Sequence, residues 1–164
     1  MKGIFTMTIN VISAFPGTGK SHFAAIRNKN NIPTHDSDSS KFPKGNGEFP
    51  DNYIEHIKTI ITNNEQILVS SHDDVRKALK RSGIRFILVF PEITCKSEYL
   101  ERYRRRGSPD AFVQMMEDNW EKFIESCVFD QNCTQRIILN PGTYISDIFI
   151  PRTSPTSIIP LDDN

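Results

Sequence analysis

The chain has 164 residues, with 20 Lys and Arg balanced by 20 Asp and Glu, so its formal net charge is +0. That length suits one domain with a real core, and the charge balance argues against a broad nucleic-acid-binding face. Cys95, Cys127 and Cys133 show no CxxC spacing, which argues against a zinc site or a disulfide framework and fits reduced thiols. No apolar run approaches the ~20 residues of a membrane span, and the N-terminus lacks a signal-type apolar core. A soluble, cytoplasmic protein with no membrane partner is expected.

Apolar runs alternate with helical patterns along the chain, the signature of an α/β fold around a parallel sheet. Met7 to Ser13 predicts the first strand. It leads into Ala14-Phe15-Pro16-Gly17-Thr18-Gly19-Lys20-Ser21 and a helix to about Asn28. Asn31 to His35 predicts a second strand, ending at Asp36-Ser37-Asp38. Ser39 to Pro50 carries two Gly and two Pro and reads as a loop. Asp51 to Asn63 predicts a helix with Asp51 as N-cap and Tyr53, Ile54, Ile57, Ile60 and Ile61 on one face. Gln66 to Ser70 predicts a buried strand, His72 to Ser82 a helix stopped by Gly83, and Ile84 to Phe90 the most apolar strand.

Thr94 to Arg106 predicts a helix with a basic end. Ser108-Pro109 reads as the N-cap and first turn of a helix running to about Cys127, whose Phe112, Met116, Trp120, Phe123, Ile124 and Cys127 form a core stripe. Arg136 to Leu139 is the last core strand and Tyr144 to Ile150 a short helix. Pro151 to Asn164, rich in Pro, Ser and Thr, reads as a loose tail.

Three segments carry chemistry. The first is the glycine-rich turn. Gly17 and Gly19 allow a tight turn that brings backbone N–H groups to a polyphosphate, and the helix opening beyond adds its positive end. Lys20 would reach the β- and γ-phosphates and Ser21 would bind Mg²⁺; an ordinary strand-to-helix turn is the plain alternative. The second is Asp36-Ser37-Asp38. Two carboxylates two residues apart in an extended chain point to the same side, at the strand ends where ligands of open α/β sheets bind. One would serve the metal or take a proton, the other would hold an acceptor; the alternative is an Asx turn. The third is the window Lys96 to Arg106, with five basic and two acidic residues. It suits either a solvated helix end or a lid over a transferred phosphate. After the third strand come Ser70-Ser71-His72-Asp73-Asp74. The serines are candidates for a metal's outer shell and the aspartates for a helix cap. Arg76 would reach a substrate phosphate or lie on the surface.

On these residues the chain resembles the nucleoside-monophosphate-kinase branch of P-loop proteins, with adenylate and shikimate kinases, and small bacteriophage-encoded nucleotide-kinase-like proteins in particular. The landmarks run from Val11 to about Asp147. The resemblance implies a P-loop three-layer α/β/α fold with a five-stranded parallel sheet. It also implies a substrate-binding insertion over about 39–63, a lid over about 102–112, and one kinase domain over 1–150 with a tail over 151–164. It implies ATP as donor, Mg²⁺ as cofactor, a small acceptor and a monomer or homodimer, in a host cytoplasm if phage-encoded. Phe15 through Ser21 would hold the triphosphate, with Ser21 and Asp36 on the metal and Asp38 on the acceptor. Arg102 would stack on the base, Arg106 would contact phosphate, and Gly142, Thr143 and Tyr144 would wrap the nucleotide. The chain departs from the pattern in having no Arg between Gly107 and Gln135 and none between Asn30 and Asn63, where Lys41 or Lys44 would substitute. The implied reaction is phosphoryl transfer to a (deoxy)nucleoside monophosphate. A hydroxylated metabolite or polynucleotide 5′-end is one alternative, and a nucleotide-binding regulator with little turnover is another.

Overall fold

In the computed structural model, which describes residues 9–149, five parallel strands alternate with six helices. They are β1 (Val11–Ala14), α1 (Lys20–Lys29), β2 (Thr34–Asp36), α2 (Asp51–Thr62), β3 (Gln66–Ser70), α3 (Asp73–Arg81), β4 (Phe86–Pro91), α4 (Lys96–Arg105), α5 (Asp110–Val128), β5 (Gln135–Leu139) and α6 (Ile145–Phe149). The sheet order is β2-β3-β1-β4-β5 and every neighbouring pair is parallel.

Period-two alternation sorts the strand side chains into two layers. Val11, Phe15, Ile67, Val69, Phe86, Leu88 and Phe90 face one core, where they meet the buried stripes of α2, α3, α4 and α5. Ile12, Ala14, Leu68, Val89 and Leu139 face the other, against Phe23 and Ala24 of α1 and Ile145 of α6. The architecture is an α/β fold with helices on both faces of the sheet. It also fixes where a cleft opens. β1 feeds a helix on one face, while β2, β3 and β4 feed helices on the other. The chain therefore parts at the carboxyl end of β1, the place where open α/β sheets bind ligands.

Several boundaries differ from the sequence expectation for local reasons. Residues 7 and 8 of the expected first strand, Ile150 of the last helix and the tail over 151–164 lie outside the described residues. The second strand begins at Thr34 rather than Asn31, because Asn31 turns left-handed (φ 62°) and Ile32 N–H returns to Arg27 O at 2.9 Å to close α1. A short 3-10 turn, Ser39–Lys41, interrupts the expected loop. Pro50 rather than Asp51 precedes α2, and Pro109 rather than Ser108 is the N-cap of α5.

The largest difference concerns the expected lid. Residues 102–112 form no insertion: α4 and α5 are joined by Arg106, Gly107, Ser108 and Pro109 alone. Gly107 takes φ 78°, Ser108 N–H bonds Tyr103 O at 3.0 Å and Gly107 N–H bonds Arg104 O at 3.0 Å. This is a helix-terminating Schellman turn, so the Gly-Pro signal marks a sharp helix–helix corner.

Candidate functional site

The loop between β1 and α1 is shaped from beneath by the core. Phe15 is 2% exposed and meets Trp120 and Tyr99 edge-on. Its carbonyl accepts the Thr18 hydroxyl at 2.7 Å. Phe15 and Thr18, both expected to touch nucleotide, therefore send their side chains into the support of the loop. The Tyr103 hydroxyl donates to Pro16 O at 2.8 Å. Gly17 and Gly19 both take positive φ, 88° and 91°. Among the described residues, the N–H groups of Gly17, Gly19, Lys20, Ser21 and His22 meet no acceptor. They are the free donors of the loop and the first turn of α1.

Gly17 is constrained by space as well as by angle, since a Cβ there would lie 2.9 Å from Tyr103 and 3.0 Å from Tyr99. Gly17→Ala is expected to destabilise the protein by about 2 kcal/mol, from the left-handed backbone and the displaced ring, read as a lowered Tm.

A cavity of about 870 Å³ opens beside this loop. Lys20, Ser21, Asp36, Asp38 and Arg106 all line it, at the ends of β1, β2 and α4. Lys20 Nζ folds back to donate to Ala14 O at 2.9 Å. The residue keeps some access to solvent through the cavity. Its ammonium nevertheless lies deep enough for burial to push its pKa from 10.5 down to about 8, with Asp36 and Asp38 opposing the shift and Arg106 adding to it. Ser21 Oγ donates to Asp36 Oδ2 at 2.5 Å, a charge-assisted bond that joins the start of α1 to the end of β2.

Asp38 makes the Asx-type cap as well as lining the cavity: its Oδ1 accepts Ser40 N–H at 2.9 Å. Burial acts to raise its pKa, but the Ser40 backbone and side-chain hydrogen bonds, with Lys41 and Lys20, outweigh this and hold it below the usual value. The turn and site readings thus describe the same residue. Tyr53 ties this region to the sheet, donating to Ser37 O at 2.7 Å while its oxygen accepts Ser70 N–H at 3.3 Å.

Three expected ligands are placed differently. Lys41 is exposed and does not line the cavity; Lys44 does, with its Nζ 4.5 Å from the centre of the Phe49 ring. Arg76 reaches the cavity wall, but its guanidinium is bound within the protein. It pairs with Asp130 at 2.5 Å, with side-chain exposures of 2% and 1%. It also donates to Ser71 O at 2.8 Å, Ser126 O at 3.1 Å and Ser126 Oγ at 2.6 Å. Asp130 lies 54 positions away, so no local pattern announces the pair.

Arg102 is likewise a clamp. It donates to Gly17 O at 2.7 Å, Thr143 O at 3.3 Å and Glu98 Oε2 at 3.1 Å. Its guanidinium carbon lies 4.3 Å from the Tyr99 ring centre and 3.9 Å from that of Tyr144. The stacking position expected for a base is occupied by tyrosine, and Arg102 does not line the large cavity. Gly142 and Tyr144 do line a smaller one of about 360 Å³, with Glu98, Glu101, Arg102 and Arg105. Gly142 N–H is bonded to Glu98 Oε1 at 2.8 Å. Thr143 closes its own turn, its hydroxyl donating to Asn140 O at 2.7 Å. Tyr144 packs on Gly19, whose added Cβ would sit 3.0 Å from the ring.

Arg106, expected to contact phosphate, is a cation of the cavity lining. It lines the cavity with Lys20, bonds Ser108 Oγ at 2.9 Å and rests 5.0 Å from the Tyr103 ring centre. Two groups gain weight from the structure. Ser70 lines the cavity at the end of β3, where its Oγ is buried with no hydrogen-bond partner. His72 beside it has its pKa lowered by burial, with Lys44, Lys20 and Arg76 reinforcing the shift against Asp74.

No protein-family model matches the chain, and no curated protein matches it. Among solved structures the chain is similar to that of an uncharacterized protein from Eubacterium ventriosum ATCC 27560. The two are 14% identical, with a TM-score of 0.42 over 81% of this chain and 90% of that one.

Proposed function

We propose that the chain is an ATP- and Mg²⁺-dependent phosphotransferase. The P-loop over Ala14–Ser21 holds the triphosphate, and the cavity beside Asp36 and Asp38 holds a small acceptor. The observation that carries this reading is the gathering of Lys20, Ser21, Asp36, Asp38 and Arg106 in the lining of one cavity, with five backbone N–H groups of the adjoining loop and first turn of α1 that meet no acceptor among the described residues. Phosphoryl transfer asks a protein mainly for positioning and for positive charge, and that lining supplies both.

A metal fits here on the chemistry of the donors. Mg²⁺ takes oxygen ligands, keeps several waters and needs only one or two protein groups besides phosphate. The Ser21–Asp36 pair offers a hydroxyl and a carboxylate, and the orphaned Ser70 Oγ offers a partner for a metal-bound water. When bound, Mg²⁺ would neutralise charge on the β- and γ-phosphates. The chain's own groups do the rest. Loop N–H groups cradle the phosphates, Lys20 leaves Ala14 O to meet the γ-phosphate, and Arg106 covers the developing charge. The nucleotide base then lies toward Gly142 and Tyr144, on the exposed side of a tyrosine that is 40% accessible.

Of the cations expected to meet a nucleoside monophosphate as acceptor, Lys44 lines the cavity, Arg76 is paired with Asp130 and Lys41 lies outside it. Incubation with radiolabelled MgATP and a panel of monophosphates and alcohols tests the reading. A phosphorylated acceptor is the expected product; binding of ATP with no transfer to any acceptor would favour a nucleotide-binding regulator instead.

Lys20 gives the reading a pH signature. Its depressed pKa rises when phosphate arrives, so binding takes up a proton above about pH 8. Calorimetric MgATP titrations at about pH 8.5 in Tris and in HEPES are expected to differ in apparent enthalpy, and to agree for Lys20→Ala.

A further inference from the structure

The loop after β5 is fastened to the P-loop on the side where the base of a bound triphosphate would lie. Ile145 N–H donates to Thr18 O at 3.0 Å, and the Tyr144 ring packs on Gly19. Arg102 joins the two loops, donating to Gly17 O at 2.7 Å and to Thr143 O at 3.3 Å. A guanidinium is a stacking platform for a base only where one of its faces is open. The Tyr99 side of Arg102 is closed, because Tyr99 is 1% exposed. The Tyr144 ring centre lies 3.9 Å from the same guanidinium carbon, in the place of a stacked base.

The polar groups beside this stack are bonded to one another. The carboxylates and guanidiniums lining the 360 Å³ cavity pair one helical turn apart, Glu98 with Arg102 at 3.1 Å and Glu101 with Arg105 at 3.3 Å. The other Glu98 oxygen accepts Gly142 N–H at 2.8 Å. The Thr143 hydroxyl turns to Asn140 O, and Tyr144 N–H goes to Asp147 Oδ2 at 2.8 Å. The Tyr144 hydroxyl can donate or accept, so it meets an amino group or a carbonyl of a base alike. Strong discrimination needs buried polar groups that the wrong ligand leaves unpaired. Side chains already paired within the protein leave none stranded by any base.

We propose that Tyr144 makes the donor site indifferent to the base, so that ATP, GTP, CTP and UTP bind alike through their shared triphosphate. This rests on the phosphotransferase reading and widens its donor to the class of nucleoside triphosphates. The loop N–H groups and Lys20 supply the grip. The base lies against the exposed side of Tyr144, where every base has a ring face to offer.

The test is calorimetric titration of the full chain with the Mg²⁺ complexes of ATP, GTP, CTP and UTP. The dissociation constants are expected to agree within about threefold. Tyr144→Ala uncovers the Arg102 guanidinium. In that variant ATP and GTP are expected to gain about fivefold over CTP and UTP, because a purine lays the larger ring system on the platform. Tyr144→Phe keeps the ring and is expected to bind all of them alike. A tenfold preference for one base in the unmodified chain or in Tyr144→Phe overturns the proposal, as does equal binding of all by Tyr144→Ala. Each of those results leaves the phosphotransferase reading standing. No saturable heat with any of the triphosphates removes that reading, and this inference with it.

Discussion

Lys20→Ala is expected to lower the rate of phosphoryl transfer by about a thousandfold, comparable to removal of one well-placed charged donor from a site where charge develops. The fold should survive, because the lost side chain faces a cavity and its one hydrogen bond goes to Ala14 O. Stability should even rise slightly. A buried ammonium whose pKa falls from 10.5 to about 8 weakens the folded state while it is charged. The unfolded chain holds this proton between those two values and the folded chain does not, so the penalty is full below about pH 8 and fades as the pH rises toward 10.5. The variant's advantage in Tm should therefore be greatest near neutrality and shrink in alkali. Turnover within tenfold of the unmodified protein, measured with labelled ATP, would separate Lys20 from the donor phosphate.

The second large effect is on stability. Asp130→Ala leaves the Arg76 guanidinium buried without its counter-ion and is expected to cost about 3–5 kcal/mol. For a chain of this size that lowers Tm by roughly 10 °C. The same substitution frees the Asn132 and Cys133 N–H groups, which Asp130 Oδ2 accepts at 2.9 and 2.7 Å. The double variant Arg76→Met with Asp130→Leu should recover most of the loss, since removing both charges leaves none stranded. The pH dependence has a definite sign. Burial acts to raise the Asp130 pKa, but hydrogen bonds from Asn132, Cys133 and Arg76 hold it below the ordinary carboxylate value. Its contribution is present above that ordinary value and is lost as the pH falls through the depressed one. A thermal melt of Asp130→Ala indistinguishable from that of the unmodified chain would mean that the pair does not hold α3 to the segment after α5.

The sheet was legible because strands buried on both faces are written as short continuous apolar runs. Runs such as Gln66–Ser70 and Phe86–Pro91 have few other fates in a chain that returns to helical spacing between them. The residues of the cavity wall were legible for a related reason: Lys20, Ser21, Asp36 and Asp38 all stand at strand ends or helix starts, which a parallel sheet brings to one edge. The α5 stripe was read correctly as core, with Met116, Trp120, Ile124 and Cys127 buried, but its width hid a second face toward the cavity.

What could not be read were partners far apart in sequence. Arg76 looks like any first-turn arginine until Asp130 is brought to it by packing. Arg102 looks free to stack until Tyr144 arrives from the loop after β5 and the Gly17 and Thr143 carbonyls take its guanidinium. The basic run ending at Arg106 suggested a mobile lid because charge and glycine are shared by lids and helix ends. The hydrogen bond from Ser108 to Tyr103 O is what makes this segment a corner.

The central claim is that the loop over residues 14–21 is the seat of a nucleoside triphosphate. It is tested most directly by calorimetric titration of the full chain with MgATP, beside Lys20→Ala. The account predicts saturable binding at one site and at least a hundredfold loss of affinity in the variant. Absence of saturable heat, or equal affinity in the two proteins, would contradict it.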